Sequence, residues 1–149
     1  MRMKKYLLIM LAVVSSAFAA NADKYSINRG DLPEAAQQFL TEHFPKSKVG
    51  MVKVDKHLLK KTDYDVKLVN GTKIEFNNAG KWTEVDCKNS PVPESVIPKA
   101  IRTYVKKNFS DVYIVKIEKT STKYEVDLSD GVELTFNLLG QFKSMKMDD

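Results

Sequence analysis

Two spacings of apolar residues take turns along this chain. Leu32, Ala35, Ala36, Phe39, Leu40, His43 and Phe44 fall at steps of three and four, the stripe of an amphipathic helix, and Pro45 ends it. Asp31 reads as its N-cap, with Pro33 in the first turn and Glu34 at the spacing of a capping box. Ile97, Ala100, Ile101, Tyr104, Val105 and Phe109 repeat the stripe behind Pro98. After each helix the step becomes two, which predicts strands with one buried face. Val52 and Val54, then Tyr64, Val66 and Leu68, then Ile74 and Phe76 lead to a last strand starting at Trp82. Val115 and Ile117, then Tyr124, Val126 and Leu128, then Val132, Leu134 and Phe136 lead to one starting at Phe142.

The two series are versions of one text. Tyr64 to Trp82 aligns without a gap on Tyr124 to Phe142, and Leu32 to Phe44 answers Ile97 to Phe109. An internal repeat of this kind predicts an α+β fold of two tandem repeats, each one helix packed on a four-stranded antiparallel sheet. The divisions are residues 1–20, 21–30 (an N-terminal segment), 31–88 (first repeat), 89–96 (linker, with two prolines and one short helical turn) and 97–149 (second repeat). A unit of about 55 residues would bury only about 60% of its surface, so the copies are expected to share a sheet or an interface.

The turns follow from which side chains must meet. A two-residue Asn70-Gly71 loop would set Leu68 against Lys73 and Val66 against Glu75, apolar against charged. A three-residue loop, Val69-Asn70-Gly71, sets Val66 against Ile74 and Tyr64 against Phe76, with glycine in the left-handed position. The same reading applies to Ser129-Asp130-Gly131, Asn78-Ala79-Gly80 and Leu138-Leu139-Gly140. Gly71, Gly80, Gly131 and Gly140 are therefore assigned to turns. The opposite sheet face carries Lys53, Asp55, Asp65, Lys67, Lys73 and Glu75, then Lys116, Glu118, Glu125, Asp127, Glu133 and Thr135. It reads as a wet face of mixed charge on which another protein can lie.

Arg2, Lys4 and Lys5 precede an apolar run from Tyr6 to Ala20 that ends in small residues, the form of a secretory signal peptide over residues 1–20. Cleavage fits after Ala19, Ala20 or Ala22. The run is shorter than the roughly 18 to 20 apolar residues of a membrane span, and none occurs later. The expected destination is periplasmic or secreted, without a lipid anchor, since the one cysteine, Cys87, lies far downstream. Removing the three basic residues takes Lys and Arg from 24 to 21 against 19 Asp and Glu, and the formal charge from +5 to +2. No basic surface for nucleic acid is expected.

Candidate chemistry is sparse. His43, His57 and Cys87 form no cluster at zinc-ligand spacing, and no nucleophile and base pair or cofactor motif stands out, so no enzyme, metal or cofactor is expected. His43 reads as a packed residue of the helix stripe. Cys87 reads either as a small apolar side chain or as a thiol able to link two chains. The copies differ most where Asp55 to Asp63 stands against the shorter Glu118 to Lys123. Leu58 and Leu59 at a hairpin tip, ringed by Lys56, His57, Lys60 and Lys61, are the candidate contact with an acidic partner or a membrane surface. An alternative is a small-ligand or cation site on Glu125, Asp127 and Glu133.

A helix followed by Tyr-x-Val-x-Leu-x-[Asn/Asp]-Gly and Phe-Asn-x-x-Gly-x-aromatic, twice over, resembles the bacterial secreted PepSY-like family, related in fold to the beta-lactamase inhibitor protein. The resemblance runs from about Leu32 to Lys146. It implies tandem helix-plus-four-strand units with their sheets facing one side, no catalytic residues, and a role in binding or inhibiting other envelope or secreted proteins. Asn77 and Asn137 stand where the family's usual form has Asp after the Phe.

Overall fold

The computed structural model describes residues 23–56 and 62–147. Its elements are β1 (Lys24–Ser26), α1 (Glu34–His43), β2 (Val49–Asp55), β3 (Asp63–Leu68), β4 (Lys73–Phe76), β5 (Trp82–Asp86), α2 (Lys99–Asn108), β6 (Ile114–Lys119), β7 (Lys123–Leu128), β8 (Val132–Asn137) and β9 (Phe142–Met147). The nine strands form one antiparallel sheet in chain order. Two four-stranded units that share a sheet or an interface are the expectation. They are joined because β5 pairs with β6, Val85 opposite Ile117, and the seam buries both completely. β1 is a ninth strand beside β2 that the periodicity did not reveal.

Hairpin register follows the requirement that apolar meet apolar. Tyr64 faces Phe76 and Val66 faces Ile74; Tyr124 faces Phe136 and Val126 faces Leu134. Phe76 faces Trp82 and Phe136 faces Phe142. Gly71 and Gly131 have φ of +93° and +91°. Gly80 and Gly140 combine a positive φ with close approach to a helix. A Cβ on Gly80 would lie 2.9 Å from Pro33 Cβ, and one on Gly140 would lie 2.7 Å from Ala100 Cβ. Asn77 and Asn137 hold these two turns, each Oδ1 accepting backbone N–H groups two and four residues ahead.

Both helices lie on the same face. Phe39 of α1 meets Phe76 edge-on with ring centroids 5.5 Å apart, and Tyr104 of α2 meets Phe136 likewise at 5.4 Å. Ala36, Leu40, Ile101 and Val105 complete the contact with Val52, Val66, Ile74, Ile117, Val126 and Leu134, one continuous apolar core.

Two expectations need correction. Asp31 is not the N-cap of α1: Arg29–Asp31 forms a 3-10 turn and Pro33 occupies the cap. The ring of Pro33 disfavours helical geometry at the residue before it, so Leu32 is extended and the helix starts afterwards. Val115 is not a core counterpart of Val52. A register shift between Ile114 and Lys116 turns it outward, and Ile114 and Ile117 are buried instead. A matching shift separates Val49 from Met51 in β2. The helical turn expected in the linker is the 3-10 turn Glu94–Val96.

Candidate functional site

With both helices on one face, the other face of the sheet is open, and its chemistry is set by which residues stand side by side on neighbouring strands. Following the pairing from β1 to β9, one row reads Tyr25, Lys53, Asp65, Glu75, Glu84, Glu118, Glu125, Thr135, Ser144. Its middle is five carboxylates on five adjacent strands, β3 to β7. The neighbouring row reads Met51, Lys67, Lys73, Asp86, Lys116, Asp127, Glu133, Lys146 and mixes signs. Strands lie about 4.8 Å apart, so like charges in one row are held within mutual reach.

The first row shows that strain in its protonation. Asp65 is pushed up from 3.8 to about 6, first by burial and then by Glu75 and Asp55. Glu118 is also raised, first by burial and then by Glu125 and Glu84. Lysines partly compensate the others: Lys73 lies 3.0 Å from Glu75, Lys116 3.1 Å from Glu84 and Lys123 2.5 Å from Glu125. In the second row Asp86 behaves oppositely. Burial alone would raise it, but hydrogen bonds from Lys88 N–H and Nζ, with the charges of Lys88 and Lys116, hold it below its usual value.

At one end of the acidic row Asp55, Asp63, Asp65 and Glu75 surround a hollow of about 390 Å³ with Asn77 and Thr83 on its wall. Among the described residues no three or more His, Cys, Asp or Glu are grouped closely enough to hold a metal ion.

From the sequence this face is expected to be one of mixed charge. Acid and lysine alternate on β4 and β6, but β5 carries Glu84 and Asp86 and β7 carries Glu125 and Asp127, and across strands the carboxylates gather; Glu84 and Asp86 were missing from the expected face. Of the expected contact residues, Lys56 is exposed, while His57, Leu58, Leu59, Lys60 and Lys61 lie outside the described residues, as does the segment 1–20. Glu125 stands in the acidic row, but Asp127 and Glu133 face each other in the mixed one. His43 packs under Phe39, and its Nδ1 lies 2.8 Å from Ser95 Oγ. Cys87 is buried, and burial pushes its thiol up, against reactivity.

The class this defines is a mixed α and β protein with one helix-covered face and one bare, acidic sheet face. The family model described as "Putative beta-lactamase-inhibitor-like, PepSY-like" matches residues 62–144, and the chain belongs to that family. A "putative periplasmic protein of unknown function" from Bacteroides vulgatus is 40% identical, covering 84% of this chain and 99% of its own, with a TM-score of 0.80. A "putative calcium-regulated periplasmic protein" from Bacteroides thetaiotaomicron is 41% identical, covering 85% and 98%, with a TM-score of 0.79. A third structure, a "putative periplasmic protein from DUF2874 family" of Bacteroides vulgatus, is 42% identical over 85% and 98%, with a TM-score of 0.78. No curated protein matches the chain. No helix among the described residues is long and apolar enough to cross a membrane.

Proposed function

We propose that this chain is a non-catalytic periplasmic binding module that regulates or inhibits another envelope protein, and that its open sheet face receives a cationic surface of that partner. The acidic row from Asp65 to Glu125 carries this reading. Five carboxylates stand in register across the centre of a bare face, where burial and then acidic neighbours raise Asp65 and Glu118, and a partner's lysines or arginines would relieve that repulsion. A periplasmic address agrees with the signal-like residues 1–20 and with the names of the neighbours. The module is read as two copies of one helix and four strands, residues 31–88 and 97–149, joined by 89–96. The recurrence of the same register shifts after each helix supports this, between Val49 and Met51 and again between Ile114 and Lys116. The Leu58 and Leu59 segment with Lys56, His57, Lys60 and Lys61 is proposed as a second contact.

The test is retention of envelope proteins by the immobilised mature chain. A specific protein should be held at low salt, released by high salt, and lost with Glu75→Gln, Glu84→Gln and Glu118→Gln combined. Equal retention by that variant would refute the acidic face as the contact.

A second reading, calcium binding where Asp55, Asp63, Asp65 and Glu75 surround the hollow, is favoured by those four carboxylates and by the neighbour named for calcium regulation. It requires the side chains to draw together around the ion. A calcium-dependent rise in melting temperature that Asp65→Asn removes would support it; identical melting in calcium and in chelator would exclude it.

A further inference from the structure

The turn after β8 differs from its counterpart in the first copy where the fold requires no difference. Asn137 Oδ1 accepts the backbone N–H groups of Leu139 and Gln141, as Asn77 Oδ1 accepts those of Ala79 and Lys81, so the two turns are held alike. Yet Asn78 and Ala79 give way to Leu138 and Leu139, and Leu139 is 79% exposed. Of the ten large apolar side chains exposed among the described residues, five lie within 138–147: these two leucines, Phe142, Met145 and Met147. The last three stand opposite the buried Phe136, Leu134 and Val132, on the side of the sheet that carries the helices. The apolar surface continues onto α2. A Cβ on Gly140 would lie 2.7 Å from Ala100 Cβ, which seats the turn on the start of the helix, and Phe142 stacks on Tyr104 with ring centroids 4.8 Å apart. Beside Tyr104, Lys99 and Lys107 line an open hollow of about 780 Å³ along the helix flank.

The helices differ in charge as the turns differ in apolarity. α1 has Glu34, Gln37 and Glu42 where α2 has Lys99, Arg102 and Lys107. α2 and residues 138–149 hold six basic and two acidic residues, against two basic and four acidic in α1 and residues 78–89, so the sign reverses between copies. Glu94 pairs with Lys106, but among the described residues Lys99, Lys107 and Lys143 are in no ion pair. An exposed apolar cluster rimmed by uncompensated lysines matches the boundary of an anionic bilayer, where hydrocarbon lies beneath a layer of phosphates. A free anion would use the lysines and leave the leucines in water.

We propose that this end of the helix-covered side docks on an anionic lipid bilayer, with Leu138 and Leu139 entering at the headgroup level and Lys99, Lys107 and Lys143 meeting lipid phosphates. The acidic row lies on the opposite side of the sheet, so the same bilayer repels it and turns it outward. The contact shares no residue with the acidic row, and either can fail without the other.

Flotation of the full mature chain with vesicles tests it. Binding is expected to vesicles containing phosphatidylglycerol, not to vesicles of phosphatidylcholine alone, and should weaken at high salt. Two variants write the first copy's residues into the second, residues that the same turn and helix already accommodate there. Lys99→Glu with Lys107→Glu should weaken binding by about 100-fold or more, and Leu138→Asn with Leu139→Ala by about 10-fold. Both should keep the wild-type circular dichroism. No binding by the wild-type chain, equal binding to both kinds of vesicle, or binding unchanged in either variant would overturn the proposal. Retention by immobilised polyglutamate in place of phosphatidylglycerol vesicles would overturn it too, by marking the face as a site for an acidic protein.

Discussion

The two rows that cross the open face are built from neighbouring positions of the same strands, two residues apart, yet Asp86 of one and Asp65 and Glu118 of the other titrate in opposite directions. In the mixed row Asp86 accepts hydrogen bonds from Lys88 and sits beside Lys116, so folding favours its charged form. In the acidic row Asp65 and Glu118 are flanked by further carboxylates, so folding disfavours theirs. A wet face alone would be served as well by the first pattern as by the second. The proposed binding role rests on this difference, since charges at Asp65 and Glu118 that oppose folding would be offset by a partner of opposite sign.

The largest effect should come from relieving the acidic row. Asp65→Asn combined with Glu118→Gln should stabilise the chain at pH 7 by on the order of 1–2 kcal/mol, read by denaturant melting, after discounting for solvent around half-buried carboxyls. The pH dependence sharpens the assignment. Because Asp65 rises from 3.8 to about 6 on folding, its stabilising contribution is fully present below about pH 4 and is lost as pH rises through about 6. Melting temperature should therefore contain a component that falls between about pH 4 and pH 6, and Asp65→Asn should remove it. Asp86→Asn should act in the other direction, costing about 0.5–1 kcal/mol at pH 7, with its loss vanishing in acid. Smallest of all, Lys67→Ala, an exposed lysine of the mixed row, should change stability by no more than about 0.5 kcal/mol.

Much of this fold is legible in the sequence because its core is encoded along the chain. Period two places Val66, Ile74, Val126 and Leu134 on one face, and a three-residue turn is the arrangement that keeps them facing one another. The acidic row is encoded across the chain and is harder to read. Continued from Phe76 opposite Trp82, simple hairpin counting would set Ile74 against Glu84 and send Thr83 to the open face. A bulge intervenes, so Ile74 meets Val85 and Glu75 meets Glu84. The signal was present in Val85 and Cys87, whose apolar character demands that shift, but no local propensity marks the bulge itself. β1 and the Pro33 start of α1 were missed for related reasons: a three-residue strand has too little periodicity, and Asp31 mimics a cap where the following Leu32-Pro33 step forbids one.

The most direct test of the acidic face is to measure partner retention and stability together in the Asp65→Asn, Glu118→Gln chain. The predicted result is a protein that melts higher than wild type and no longer retains the salt-sensitive envelope partner. Undiminished retention by that more stable protein would contradict the account.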